Sequence, residues 1–425
     1  MSATEPRGGR LAHSRVPMTG RDPRQPGRAS TPLELLFDLT FVVAVGTAAA
    51  NFAELIAEGR FGAAVTAFVL AMFAISVAWI SFSWFASAFD TDDWLYRALT
   101  MLQMIGVVVF ALGLPAMFHS VREGGHLELR AMVIGYVVMR IAMLAQWRRA
   151  CRESPAFREV GGAQIRWTAT AQAGWLVVGF VALPLPVVFV AFALLGVLEL
   201  LLPVLSQGGA GGTPWHPHHV AERYSLFAII TLGEGVVGTV ASSGDLLGGA
   251  GGTHWTGNAV AVVVAGVGLT FGMWWVYFAT PFGEVLVHRR ERGYLFGYGH
   301  IPVFMGIAGA GAGLHVAGLR LEHHAEIGDV AVVLALALPV GLFLLVVYLL
   351  HTLLLSRADR FHLLLITGTL AVLALAVLLS AVHVPLAVCL LVVMLAPFVT
   401  VVGYETVGHR HQRHLLEALA ARVTG

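Results

Sequence analysis

Lysine is missing from the chain altogether, and charge of either sign is scarce. Charged residues make up 12% of the 425 positions, about half the share usual in soluble domains. The net charge of +1 excludes a strongly basic nucleic-acid binder. Cysteine is almost absent. Cys151 and Cys389 stand too far apart in sequence to suggest a disulfide framework or a metal site, and both read as packing residues. There is no Walker A sequence, so ATP-driven transport by this chain alone is not expected. The first thirty residues lack an apolar core and are rich in Arg, Pro and Gly. They read as a disordered cytoplasmic tail rather than a cleaved signal peptide.

Apolar residues fill the space that charge leaves. The chain is 57% hydrophobic with a mean hydropathy of +0.79, more apolar surface than one globular core can bury. The excess must face lipid. Runs long enough to cross a bilayer recur at 33–53, 62–88, 95–118, 127–147, 166–182, 184–204, 219–241, 256–280, 297–318, 328–355, 361–382 and 385–405. The expected fold is therefore an all-α integral membrane protein of about twelve transmembrane helices.

Arginine placement tests this count. If the N-terminus is inside, roughly twenty of the 26 arginines fall in cytoplasmic loops and tails. The alternate loops hold only Arg60, Arg122, Arg130 and Arg320. An odd number of spans would scramble this bias, so the expected topology is N-in and C-in, in the plasma membrane. A weak repeat supports two parallel halves. Ser76, Ser83, Ser87 and Asp90 in the second run recur at the same intervals as Thr270, Tyr277, Pro281 and Glu284 in the eighth. The expected organisation is a tail at 1–30, a six-helix half at 31–205, a linker at 206–218, a second half at 219–408 and a tail at 409–425.

Ionisable residues inside these runs carry the functional argument. A charge facing hydrocarbon costs about 2.5–3.5 kcal/mol even on lenient scales. Thr31-Pro32-Leu33-Glu34 has the form of a capping box with Pro at the first helical position. Asp38 follows one turn later, where no cap needs it. In the seventh run Arg223, Ile230 and Glu234 share a face, and Glu234 lies about 18 Å along the axis from Glu222, near the bilayer midplane. Gly233 and Gly235 flank it and would let another backbone approach. Arg140 and Glu199 also fall inside predicted spans, and shared depth suggests that Arg140 pairs with Asp38 or Glu199. Asp38, Glu234, Arg140 and Glu199 are the expected substrate or proton-binding residues. Glu34, Asp90, Asp92, Asp93, His219, Glu222, Arg223, Glu284 and His300 form the expected gating or cytoplasmic polar cluster.

No metal or cofactor is expected. His216, His218 and His219 lack nearby Cys or carboxylate ligands in suitable spacing. Gly309 and Gly313 read as a close helix-packing pair. Trp79, Trp84, Trp274 and Trp275 read as packing residues or interface anchors.

Three stretches resemble the bacterial low temperature requirement A family: Pro32-Leu-Glu-Leu-Leu-Phe-Asp-Leu-Thr-Phe-Val, Phe89-Asp-Thr-Asp-Asp, and His219-Val-Ala-Glu-Arg-Tyr-Ser-Leu-Phe-Ala-Ile-Ile-Thr-Leu-Gly-Glu234. By that resemblance Glu34, Asp38, Arg140, His219, Glu222, Arg223 and Glu234 fall on the family's recurrent polar positions. It implies a shorter Asp where this chain has Glu199. It also implies a link to growth in the cold, without a substrate or reaction. The leading functional expectation is a secondary transporter, proton-coupled, of an unidentified small solute, with the lipid bilayer as partner and no nucleic acid. The alternatives are a membrane-embedded lipid- or isoprenoid-modifying enzyme, supported by the acidic corner, and a non-catalytic membrane-stability factor.

Overall fold

The computed structural model describes residues 15–206, 212–249, 252–253, 257–355 and 360–410. Twelve long helices account for most of them: α1 (Pro32–Ala57), α2 (Phe61–Phe89), α3 (Trp94–Glu123), α4 (Arg130–Glu153), α5 (Arg158–Phe180), α6 (Leu185–Ser206), α7 (Pro217–Leu247), α8 (Gly257–Phe278), α10 (Gly293–Leu321), α11 (Asp329–Leu355), α12 (Arg360–Ala381) and α13 (Leu386–Gly403). Each coincides with one predicted apolar run. A short helix, α9 (Phe282–His288), occupies a stretch expected to be loop, and a two-residue antiparallel pairing follows α7.

Among the described residues, ten spans are both long and apolar enough to cross a membrane. The two long helices outside that set are α4 and α5. α4 carries Arg140, Arg148, Arg149 and Arg152, and α5 carries Gln164, Arg166 and Gln172, which lowers their mean hydropathy. Turn chemistry fixes several helix ends. α1 closes in a Schellman motif, with Arg60 N donating to Leu55 O and Gly59 N to Ile56 O, both at 2.9 Å, and Gly59 taking the left-handed conformation that this motif needs. His323 after α10 and His383 after α12 repeat the pattern with positive φ.

The chain divides into two compact units. The first comprises the N-terminal segment through Thr40, Ala78–Gly113 and Leu129–His216. In it α3 and α4 approach closely at Gly106, where a Cβ would lie 2.7 Å from the Gly135 carbonyl oxygen. Residues 15–30, expected to be disordered, are held instead by specific hydrogen bonds. Val16 N donates to Asp93 at 3.0 Å, Met18 N to Glu153 at 2.6 Å, Arg21 N to Ala88 O at 2.9 Å and Arg28 to Ala86 O at 2.9 Å. Polar composition excludes a core of the segment's own, but not attachment to helix ends that need donors. Residues 1–14 of the expected tail lie outside the described residues.

The second unit comprises Phe41–Val77, Leu114–Glu128 and the chain from Pro217 onwards. α10 is its most enclosed helix, and its glycines divide their work between two neighbours. Gly306, Gly309 and Gly313 face α11, where Cβ atoms would lie 2.8 Å from Phe343 N, 3.0 Å from Pro339 Cβ and 2.7 Å from Ala335 O. Gly309 and Gly313 thus form the close-packing pair that their spacing suggests. Gly311 and Gly318 face α7 instead.

Candidate functional site

The corner between α2 and α3 is acidic in sequence but neutralised in structure. Asp93 caps α3 by accepting the Tyr96 amide at 2.9 Å, and both of its oxygens take the Arg149 guanidinium of α4. Burial opposes its ionisation, but Arg149 and the Tyr96 and Val16 amides outweigh that and hold the carboxyl down at about 2. Asp92 takes a bidentate pair from Arg97, with both bonds at 2.9 Å. Asp90 is buried and meets Arg21 at 3.4 Å. Burial, followed by the charge of Glu34, pushes its carboxyl up to about 6 despite Arg21. Among the described residues no group of three or more His, Cys, Asp or Glu is arranged to hold a metal ion.

The raised Asp90 value has a sign that can be measured. Between pH 4 and 6 the folded protein holds a proton that the unfolded chain has released, so stability falls as pH rises through that window. Asp90→Asn should remove this contribution and flatten the profile of unfolding midpoint against pH there. An unchanged profile would contradict the assignment.

Farther into unit one, Arg140 of α4 donates to Glu199 of α6 at 3.0 Å, both buried. The same guanidinium hydrogen-bonds Tyr136 Oη and lies 4.7 Å from the centre of that ring. Gln172 of α5 donates to the other Glu199 oxygen at 3.3 Å. Of the two partners suggested by depth, the structure gives Arg140 to Glu199. Asp38 instead accepts Trp79 Nε1 at 2.7 Å, both fully buried. Glu34 closes the expected capping box: Oε2 accepts the Thr31 amide at 2.7 Å, and Thr31 Oγ1 accepts the Glu34 amide at 3.3 Å.

In unit two, α7 begins with His219 and Arg223 fully buried, Glu222 half-buried and Glu284 of α9 exposed. Glu234 lies deep in the same helix and retains 8% of its surface. It makes no hydrogen bond or ion pair to any described residue. Its carboxylate faces Gly46 of α1, where a Cβ would lie 3.0 Å from Oε1. Its own backbone meets Gly311 of α10, where a Cβ would lie 2.6 Å from the Glu234 carbonyl carbon. The close backbone approach expected at Gly233 and Gly235 is thus made at Glu234 itself. Gly233 faces open space, and Gly235 faces the Thr270 side chain.

His300 lies in an aromatic box rather than a polar cluster. The rings of Tyr224, Phe282, Phe296 and Phe304 have centroids 4.3–5.7 Å from its own. The Phe296 carbonyl can only accept, so His300 Nδ1–H donates to it at 2.7 Å, and Nε2 accepts from Tyr277 Oη at 3.1 Å. Both ring nitrogens are thereby occupied.

Sequence reasoning did not single out Tyr136, Gln172, Trp79, Arg21, Arg28 or Arg149 as partners. Tyr136 carried a readable signal, one turn before Arg140 on the same face. The arginines counted only as topological charge.

The sequence matches the family described as Bacterial low temperature requirement A protein (LtrA) over residues 29–397. A protein of Rhizobium meliloti (strain 1021), described as uncharacterized protein RA0937, is 27% identical over 319 residues, covering 72% of this chain and 74% of the relative. No solved structure matches the chain.

Proposed function

Since the chain belongs to the bacterial low temperature requirement A family, we propose that this polytopic membrane protein is a secondary, proton-coupled transporter of a small solute, with Glu234 as its proton carrier. One observation carries the reading: Glu234 is a buried carboxylate at membrane depth with no hydrogen-bonding or charged partner among the described residues. A carboxylate that served packing alone would be expected to find a donor, because an unpaired charge there is expensive. Arg140 and Glu199 answer each other and need no ligand, so they act as a fixed pair that positions α4 and α6. Asp38, through Trp79, fixes the entry of α1.

In this reading α4 and α5 complete a set of twelve spans, with both termini in the cytoplasm and two halves of six. Their polar content is no obstacle to spanning. Arg140 spends its charge on Glu199, and Arg149 spends its own on Asp93. In that topology the acidic corner of unit one and the start of α7 in unit two would each face the cytoplasm and act on access there.

Proteoliposomes carrying the full chain and an internal pH dye provide the test. With an imposed proton gradient and a panel of amino acids, sugars, organic acids and amines, at least one solute should drive proton flux. Glu234→Gln should cut that flux more than tenfold, and Gly46→Val should also reduce it by crowding the carboxylate. Absence of gradient-driven uptake across the panel would sink the proposal, as would full activity in Glu234→Gln.

A further inference from the structure

A second feature of unit two, unrelated to Glu234, bears on what the protein binds. α8 presents Val260, Val264, Val267, Phe271, Trp274 and Phe278 at alternating intervals of four and three, each between 38% and 52% exposed. That spacing draws one continuous apolar stripe along the helix. It runs for roughly 27 Å at 1.5 Å per residue, close to the thickness of the hydrocarbon core at about 30 Å. At the Phe278 end the stripe opens into a groove of about 360 Å³, lined by Phe271, Trp274, Trp275, Phe278, Tyr404 and Glu405.

The groove is built rather than incidental. Gly272 brings α8 against α13, where a Cβ would lie 2.7 Å from Pro397 Cγ. α13 then passes into a π-helical turn, Tyr404–Gly408, and such turns re-aim side chains. Glu405 in that turn accepts Trp275 Nε1 at 3.0 Å and makes no ion pair to any described residue. Trp274 lies between Phe271 and Phe278, with centroids at 5.6 and 5.3 Å and planes within 17° and 29°. Aromatic faces beside a carboxylate with no countercharge among the described residues favour a cation, and an ammonium suits them best. An apolar stripe leading to a groove of ring faces and one carboxylate matches one kind of molecule.

We propose that this groove seats the ammonium headgroup of a phospholipid of the phosphatidylethanolamine class, with an acyl chain lying along the α8 stripe. Glu405 supplies the charge, the tryptophans supply ring faces, and Trp275 holds the carboxylate in place. The proposal goes further than reading these tryptophans as interface anchors, because an anchor has no preference between headgroups. It does not depend on whether Glu234 carries protons.

Native mass spectrometry of the full chain, purified in detergent with equimolar dioleoyl phosphatidylethanolamine and dioleoyl phosphatidylglycerol, reads the preference directly. The amine lipid should be retained at least fivefold over the glycerol lipid. Glu405→Gln should abolish that ratio, while Glu159→Gln on exposed α5 surface should leave it intact. The glutamine still accepts from Trp275, so its effect reads the charge rather than the fold, and Glu405→Asp should restore most of the preference. Equal retention of the two lipids overturns the proposal, and so does a preference indifferent to Glu405→Gln. Light scattering that shows a dimer dissociated by Phe271→Ala would likewise overturn it, assigning the stripe to a second copy of the chain.

Discussion

Arg140→Met should destabilise the protein by about 3–5 kcal/mol, the usual cost of stripping one partner from a buried ion pair. The substitution leaves Glu199 buried, with Gln172 and the Tyr136 hydroxyl as its remaining hydrogen-bond donors. It also removes the guanidinium from the Tyr136 ring. The penalty belongs to the stranded carboxylate rather than to lost attraction, and that distinction can be tested. Arg140→Met combined with Glu199→Gln carries no buried charge and keeps an acceptor for Gln172, so the pair should recover at least half of the loss. Unfolding midpoints in detergent for the two singles and the double supply the cycle. Additive losses would mean that the residues are not coupled, and the pair would not be what ties α4 to α6.

Gly311→Ala should be the second large effect, from a single methyl group. Its Cβ would sit 2.6 Å from the Glu234 carbonyl carbon and 2.8 Å from the Glu234 Cβ, and backbone cannot yield as a side-chain tip can. α7 and α10 must separate, at a cost of about 1–3 kcal/mol, and Glu234 moves with α7. Gly233→Ala is the matched control. Nothing lies within 4 Å of its added Cβ, and alanine gains up to about 1 kcal/mol over glycine in a helix. A costly Gly311→Ala on α10 beside a neutral or stabilising Gly233→Ala on α7 would establish which face of α7 meets α10. Equal responses would contradict that contact.

Much of this architecture was legible in the sequence because it rests on local signals. Apolar runs and their arginine-marked ends located every long helix, since length and hydropathy are properties of a segment by itself. The capping box at Thr31 and Glu34 and the pairing role of Gly309 and Gly313 follow from spacing alone. What escaped depends on neighbours that spacing does not choose. Two acids share the depth of Arg140, and only the packing of α5 against both α4 and α6 selects Glu199. His300 was placed in a polar cluster by position, whereas a ring of aromatic residues from α7, α9 and α10 encloses it. The glycines beside Glu234 were read as the approach point, although the close contact falls on Glu234 because its helical face, not its flanks, meets Gly311.

The binding of residues 15–30 also orders events in time. Val16 and Met18 are translated early, yet their partners Asp93 and Glu153 lie 77 and 135 positions later. Gln25 waits for His216, 191 positions on. Arg21 and Arg28 can dock on Ala88 and Ala86 once α2 is made, but the segment is fully fastened only after α4 has delivered Arg149 and Glu153 and the stretch before α7 has delivered His216. Gln25, whose partner comes last, is the last of these to be secured, so its protection from protease should report completion of the first unit rather than its onset.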